Sequence, residues 1–219
     1  MEPIHCNAII LTISEYTASK KIVHLYTPTL GKIDCIVTGI SSKKGKQKRA
    51  YLQPSYILQC VLQKQNSRQN LYMLKEFSLD YNYETIPFDI HKSSQVFFLC
   101  EAINKLTVEE SSTENTFDFI KESFILLDLL EEGAENFHVV FLYQFLKHQG
   151  YAPTSDIIQQ YASTTRLNPE ELSYVNLKHL HWNRTIRNLW IDTLIYHIEN
   201  ILNISLLLKS LKVLKQIFN

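Results

Sequence analysis

Nine residues carry the strongest chemical bias in the chain. Ser41-Ser42-Lys43-Lys44-Gly45-Lys46-Gln47-Lys48-Arg49 holds five cations and neither an acidic nor an apolar side chain. Such a run cannot bury itself, so it is either solvated or bound to something. Clustered ammonium and guanidinium groups suit a polyanion, because each neutralised phosphate releases condensed counterion. Lys20, Lys21, Lys32, Lys64 and Arg68 lie in the same N-terminal stretch, with Tyr26, Tyr51, Tyr56 and Tyr72 among them. Tyrosine rings either stack on exposed bases or pack within strands, and the sequence leaves both readings open. The candidate nucleic-acid-binding set is therefore Lys20, Lys21, Lys32, Lys43, Lys44, Lys46, Lys48, Arg49, Lys64 and Arg68.

Bond-making chemistry finds no comparable signal. Gly39 to Gln47 approaches a phosphate-binding loop, but it has five residues between its glycines where four are needed. Gln47 also stands where a magnesium-reaching hydroxyl belongs. His138, His148, His179 and His181 form no H-E-x-x-H pattern, and His138 reads as a partly buried, satisfied histidine within an aromatic helix. No serine sits in a G-x-S-x-G elbow. Cys6, Cys35, Cys60 and Cys100 are dispersed within apolar runs rather than at metal-ligand spacing, and are expected as buried free thiols. The expectation is a protein that is not an enzyme, with no cofactor and no metal.

The elements that position the basic residues follow from charge and period. Through Asp80 there are eleven Lys/Arg against five Asp/Glu, a net +6, and the remainder carries a net −6. That step predicts a boundary near residue 80, with domains over 1–80 and 81–219. Before it, five segments read as strands. Ile9, Leu11 and Ile13 share one face; Ile22 to Tyr26 is β-branched and aromatic; Ile33, Cys35 and Val37 alternate; so do Tyr56, Leu58, Cys60 and Leu62; Leu71 to Leu79 is the last. Pro28-Thr29-Leu30-Gly31 marks a turn. Five strands in about 75 residues predict a small closed antiparallel barrel of the OB type, with an SH3-type barrel as the competing reading. After Pro87 the apolar residues recur at helical steps, predicting five or six helices, one of them starting at Asn168-Pro169-Glu170-Glu171. The hydrophobic share of 45% is ample for ordinary cores. No signal peptide or membrane span is expected, and with free thiols this predicts a cytoplasmic, nucleoid-associated protein.

Several stretches together carry a resemblance. Thr29-Leu30-Gly31-Lys32-Ile33, Val37-Thr38-Gly39-Ile40 and the basic run resemble the start of the RecO family of bacterial recombination mediators. Ile86 to Ser94, Glu135-Asn136-Phe137-His138, Gly150-Tyr151-Ala152-Pro153 and the closing Leu208 to Phe218 look like later parts of that family, in its order and most like versions from Bacteroidetes. The resemblance implies an N-terminal OB fold and a helical C-terminal domain. It further implies binding of single- and double-stranded DNA, strand annealing, and partnership with the RecR ring. Engagement of the acidic tail of single-stranded DNA-binding protein and help in loading RecA recombinase are also implied. Many members carry a four-cysteine zinc module, but residues 151–182 contain no cysteine, so zinc is not carried over.

The fold class expected is thus multi-domain α+β: an N-terminal OB-fold barrel followed by an all-helical domain. The function expected is a DNA repair and recombination mediator that binds and anneals DNA and makes no bonds. A general RNA-binding OB protein, and a protein-interaction adaptor whose basic loop is merely solvated, are the alternatives.

Overall fold

The period-two segments form five strands: β1 (Ile4–Thr17), β2 (Lys20–Thr27), β3 (Gly31–Thr38), β4 (Ile57–Lys64) and β5 (Leu71–Leu79). Their order, β1-β2-β3-β5-β4, closes on itself through the β1–β4 pairing, which is the OB-type arrangement. This computed structural model describes residues 2–17, 20–39, 49–65, 71–107, 114–161 and 168–218. One expectation needs correction, since the barrel is not wholly antiparallel. β3 and β5 run parallel, with Asp34, Cys35 and Ile36 opposite Leu71, Tyr72 and Met73. The reason is topological: a closed ring with an odd number of strands cannot alternate direction all the way round.

Inside the barrel, Val23, Leu25, Ile33, Cys35, Val37, Leu58, Cys60 and Leu62 make a continuous core. From β1 the inward residues are Ile4, Cys6, Ala8 and Ile10, and then Ile13. The parity changes because Leu11 is an extra residue: Ile10 faces Leu25 while Thr12 faces His24. Ile9 and Leu11 therefore do not share a face with Ile13 as their spacing suggested. At the β2–β3 turn, Gly31 takes a positive φ of 67°. The Thr27 hydroxyl donates to its carbonyl and accepts from the Leu30 amide.

The helices are α1 (Ile90–Leu106), α2 (Glu114–Leu129), α3 (Phe137–His148), α4 (Ser155–Tyr161), α5 (Arg184–Leu202) and α6 (Lys209–Ile217). By their packing the residues fall into two units, Met1–Tyr83 with Cys100–Ile125, and Glu84–Leu99 with Leu126–Asn219. In the first unit, the end of α1 lies on the outside of the barrel. Asn104 reaches Thr12, and the fully buried Cys100 thiol sits 3.7 Å from the Ile10 carbonyl.

The second unit is organised by buried polar anchors. The Asp128 carboxylate accepts from the amides of Glu84, Thr85 and Ile86, and these amides hold the carboxyl below its usual range although burial pushes it up. Lys92, also buried, donates to the carbonyls of Asp128 and Leu130, so it caps the end of α2. Gln95 Oε1 accepts from both the backbone amide and Nδ1 of His138. Burial, aided by the Arg187 charge, holds that imidazole neutral with a pKa of about 3. His138 is thus a satisfied core histidine, more completely buried than its sequence setting suggested. Gly133, at φ 77°, cannot be replaced, because a Cβ there would meet the Leu177 carbonyl at 2.6 Å. The expected helix at Asn168 is instead a three-residue 3-10 turn, Pro169–Glu171, although Asn168 does cap it by accepting from Glu170. Tertiary packing overrides the local signal: Leu172 is drawn into the core and its carbonyl accepts from the Gln144 amide.

Candidate nucleic-acid interface

The barrel sorts the predicted cations into groups. Lys43, Lys44, Lys46, Lys48 and Arg68 lie outside the described residues, as does most of the near phosphate-loop. The residue before the basic run's approach, Gly39, and its last residue, Arg49, are described. Gly39 leaves β3 at a positive φ, and Arg49, at the other end, is exposed. Lys20 is exposed and pairs in register with Thr38, so it stands beside the point where the chain leaves β3 for the basic run. Lys21 is tied to Glu15 across the β1–β2 ladder, at 2.7 Å. Lys20 and Lys21 thus stand at the end of the barrel where β3 finishes.

Lys64 belongs elsewhere. β4 runs antiparallel to β5, which runs parallel to β3, so β4 ends toward the start of β3. Lys64 pairs with Tyr72 and Tyr72 with Cys35, three residues short of Thr38, or roughly 10 Å along the strand. Its ammonium lies 5.9 Å from the Tyr72 ring centre. Lys75, exposed, is the bulged residue of β5, between Leu74 opposite Leu62 and Glu76 opposite Val61.

Lys32 has a different task from the one its sequence position suggested. Its ammonium donates to the carbonyls of Asn104 and Thr107, each at 2.8 Å, and so caps the C-terminus of α1. We therefore place it with the fold. The tyrosines are also resolved. Tyr26 and Tyr72 are buried at 1% and 4% exposure and are packing residues, and half-buried Tyr56 packs on Tyr83. Only Tyr51, 39% exposed, keeps a ring open for stacking among the four.

Between these ends, the outer face of β2 and β3 carries a cross-strand pair, His24 opposite Asp34. Nδ1 of His24 lies 2.6 Å from Asp34 Oδ1 and carries the proton, since a carboxylate only accepts. That hydrogen bond holds the Asp34 carboxyl below its usual range against partial burial. The sequence offered no reason to single out this pair, because its members lie ten residues apart on different strands.

Two further observations bear on ligands. The cysteines do not fit a zinc module: three lie in the barrel and one on α1, and no group of three or more metal-ligating side chains gathers among the described residues. In the second unit, an apolar groove of about 360 Å³ is lined by Ile90, Phe97, Val213 and Ile217. Phe97 and Val213 are 45% and 52% exposed, and Lys209 and Lys212 stand on the exposed side of the same α6. The signal for it was present in the amphipathic tail, but which helix would face that tail was not legible. No described helix is long and apolar enough to cross a membrane.

Comparison with known proteins agrees with this architecture. The family model described as the N-terminal part of recombination protein O matches residues 1–83, and that of the C-terminal part matches residues 87–194. A DNA repair protein RecO of Phocaeicola vulgatus is 28% identical over 184 residues, covering 77% of this chain and 76% of that protein. That of Christiangramia forsetii is 32% identical over 155 residues, covering 70% of this chain and 64% of its own. That of Bacteroides fragilis is 28% identical over 148 residues, covering 68% and 61%. The matched region is thus under two thirds of the latter two relatives. With an OB-type barrel, a helical region and both halves of one family matched in order, the chain belongs to the RecO family of DNA repair and recombination proteins.

Proposed function

We propose that the chain is a recombination mediator that acts by binding. The barrel holds the phosphate backbones of two complementary DNA strands close together and lowers their repulsion, so that they anneal. The observation that carries this reading is that β3 leaves an OB-type barrel beside the exposed Lys20 for a run of five cations, whose last residue, Arg49, is exposed. Backbone contacts of this type give affinity with little sequence preference, as a mediator acting on any sequence requires. Single- and double-stranded DNA are the ligands, with Lys20, Lys21, Lys43, Lys44, Lys46, Lys48 and Arg49 as the principal contacts. Lys64 and Arg68 are further contacts, of which Lys64 lies away from the β3 exit.

The helical unit supplies partner contacts. The groove between α1 and α6 suits the acidic tail of single-stranded DNA-binding protein, in which apolar terminal side chains enter the groove and acidic residues face Lys209 and Lys212. Binding to the RecR ring and assistance in loading RecA complete the reading. An electrophoretic binding and annealing assay, on bare strands and on strands coated with single-stranded DNA-binding protein, tests it. Annealing of both is expected, with Val213→Glu losing only the coated-strand activity. Equal affinity for unstructured RNA without annealing would favour an RNA-binding protein instead. Absence of DNA binding at about 50 mM salt would leave a protein adaptor.

A further inference from the structure

The barrel closes where β1 meets β4, and at that seam two cysteines face each other directly. Cys6 and Cys60 are register partners, with their sulfurs 3.7 Å apart and the Cys60 sulfur 3.2 Å from the Cys6 carbonyl. Residues opposed in an antiparallel ladder have Cα atoms about 4.5 to 5.5 Å apart, inside the span of about 4.4 to 6.8 Å that a disulfide bridges. Bonding requires the sulfurs to close from 3.7 Å to about 2.05 Å. Access exists too: a surface cavity of about 520 Å³ is lined by both cysteines, together with His5, Asn7, Glu76 and Phe77. Cys6 is half-buried and Cys60 is buried at 4% exposure, whereas Cys35 and Cys100 are wholly enclosed.

We propose that Cys6 and Cys60 form an oxidisable dithiol, which a hydroperoxide converts into a disulfide across the β1–β4 seam. Cys6 is the nucleophile. Its sulfur is the more exposed, and its hydrogen-bonding contact with the Cys60 sulfur holds its thiol below the usual range although burial pushes it up. The hydrogen bond to Cys6 and burial push the Cys60 thiol up, so it keeps its proton until the second step. The Cys6 thiolate attacks one peroxide oxygen and the O–O bond breaks. The departing hydroxide takes a proton and leaves as water, and Cys6 becomes a sulfenic acid. The Cys60 sulfur then gives up its proton and attacks the Cys6 sulfur, the S–O bond breaks, and a second water leaves. Two thiols and one hydrogen peroxide thus give one disulfide and two waters, with two electrons passing from sulfur to oxygen. A dithiol reductant reverses the bond by exchange. The bridge closes a loop of about 55 residues and ties β4, four residues before Lys64, to the strand that also pairs with β2. Oxidation would therefore stiffen the DNA-binding barrel without touching its cations.

The test is oxidation of the folded full chain with stoichiometric hydrogen peroxide, followed by alkylation of remaining thiols and mass spectrometry. The expected result is loss of two hydrogens from the monomer, a linked peptide joining Cys6 to Cys60, and full recovery of both thiols with dithiothreitol. Cys6→Ser and Cys60→Ser should each abolish the link, while Cys100→Ala should keep it. Should a serine variant fail to fold, the wild-type peptide map decides alone. A Cys6–Cys35 link, an intermolecular link, overoxidation of Cys6 beside a reduced Cys60, or inert thiols would each overturn the proposal.

Discussion

The two units use charge in opposite ways. In the barrel, Lys20 and Arg49 are exposed, and Lys32 is drawn in to close a helix end. In the helical unit, Lys92, Asp128, His138 and Arg187 are buried, each with hydrogen-bond partners of its own. A buried ionisable group with all its partners specifies architecture, because taking away one partner leaves the other unsatisfied in a low dielectric. An exposed cluster of one sign contributes little to folding and remains available for a ligand. Burial separates residues that hold the fold from residues left available to a ligand, where residue type alone does not.

The comparison predicts its largest effect in the helical unit. Asp128→Ala orphans three amides, although the Lys92 bonds to backbone carbonyls remain, and should destabilise the protein by about 3 to 5 kcal/mol in urea titration. A loss below about 1 kcal/mol would mean that the anchor is not structural.

Acid should act next, through His138. Its folded pKa of about 3 lies below the unfolded value of about 6.5, so the unfolded chain binds the proton first. The stability it contributes is present above pH 6.5 and is lost as pH falls toward 3. About 2 kcal/mol should disappear between pH 7 and pH 5, and His138→Gln should flatten that dependence. Equal slopes for the two proteins would refute the assignment.

A smaller effect separates two lysines on neighbouring strands. Lys32→Met removes two charge-assisted hydrogen bonds at the end of α1 and should cost about 1 to 2 kcal/mol. Lys20→Ala should stay within about 0.5 kcal/mol, since its side chain is exposed. The reverse ranking in thermal denaturation would break the distinction between fold and ligand cations.

Much of this was legible in the chain, and the failures are instructive. The five strands and the change of period near Pro87 followed from local alternation, because burial of one face is written into nearest neighbours. The parallel β3–β5 closure was implied by the odd strand count but was not drawn from it. What the sequence could not convey were contacts spanning many residues. Nothing local distinguishes Lys32, which bonds residues 104 and 107, from Lys20. Asn168 and Pro169 carried a sound helix-start signal, yet burial of Leu172 stopped the helix after one turn. The α1–α6 groove and the Cys6–Cys60 pair escaped for the same reason: each needs two elements brought together by the fold.

The most direct measurement is the salt dependence of single-stranded DNA binding by the wild-type chain and by a Lys43→Ala, Lys44→Ala variant. If both lysines touch phosphate, the log–log slope should become shallower by about 1.4, at roughly 0.7 per contact. Stability should change by less than about 0.5 kcal/mol, and annealing should fall in step with affinity. An unchanged slope with folding intact would remove the basic run from the DNA site and contradict the account.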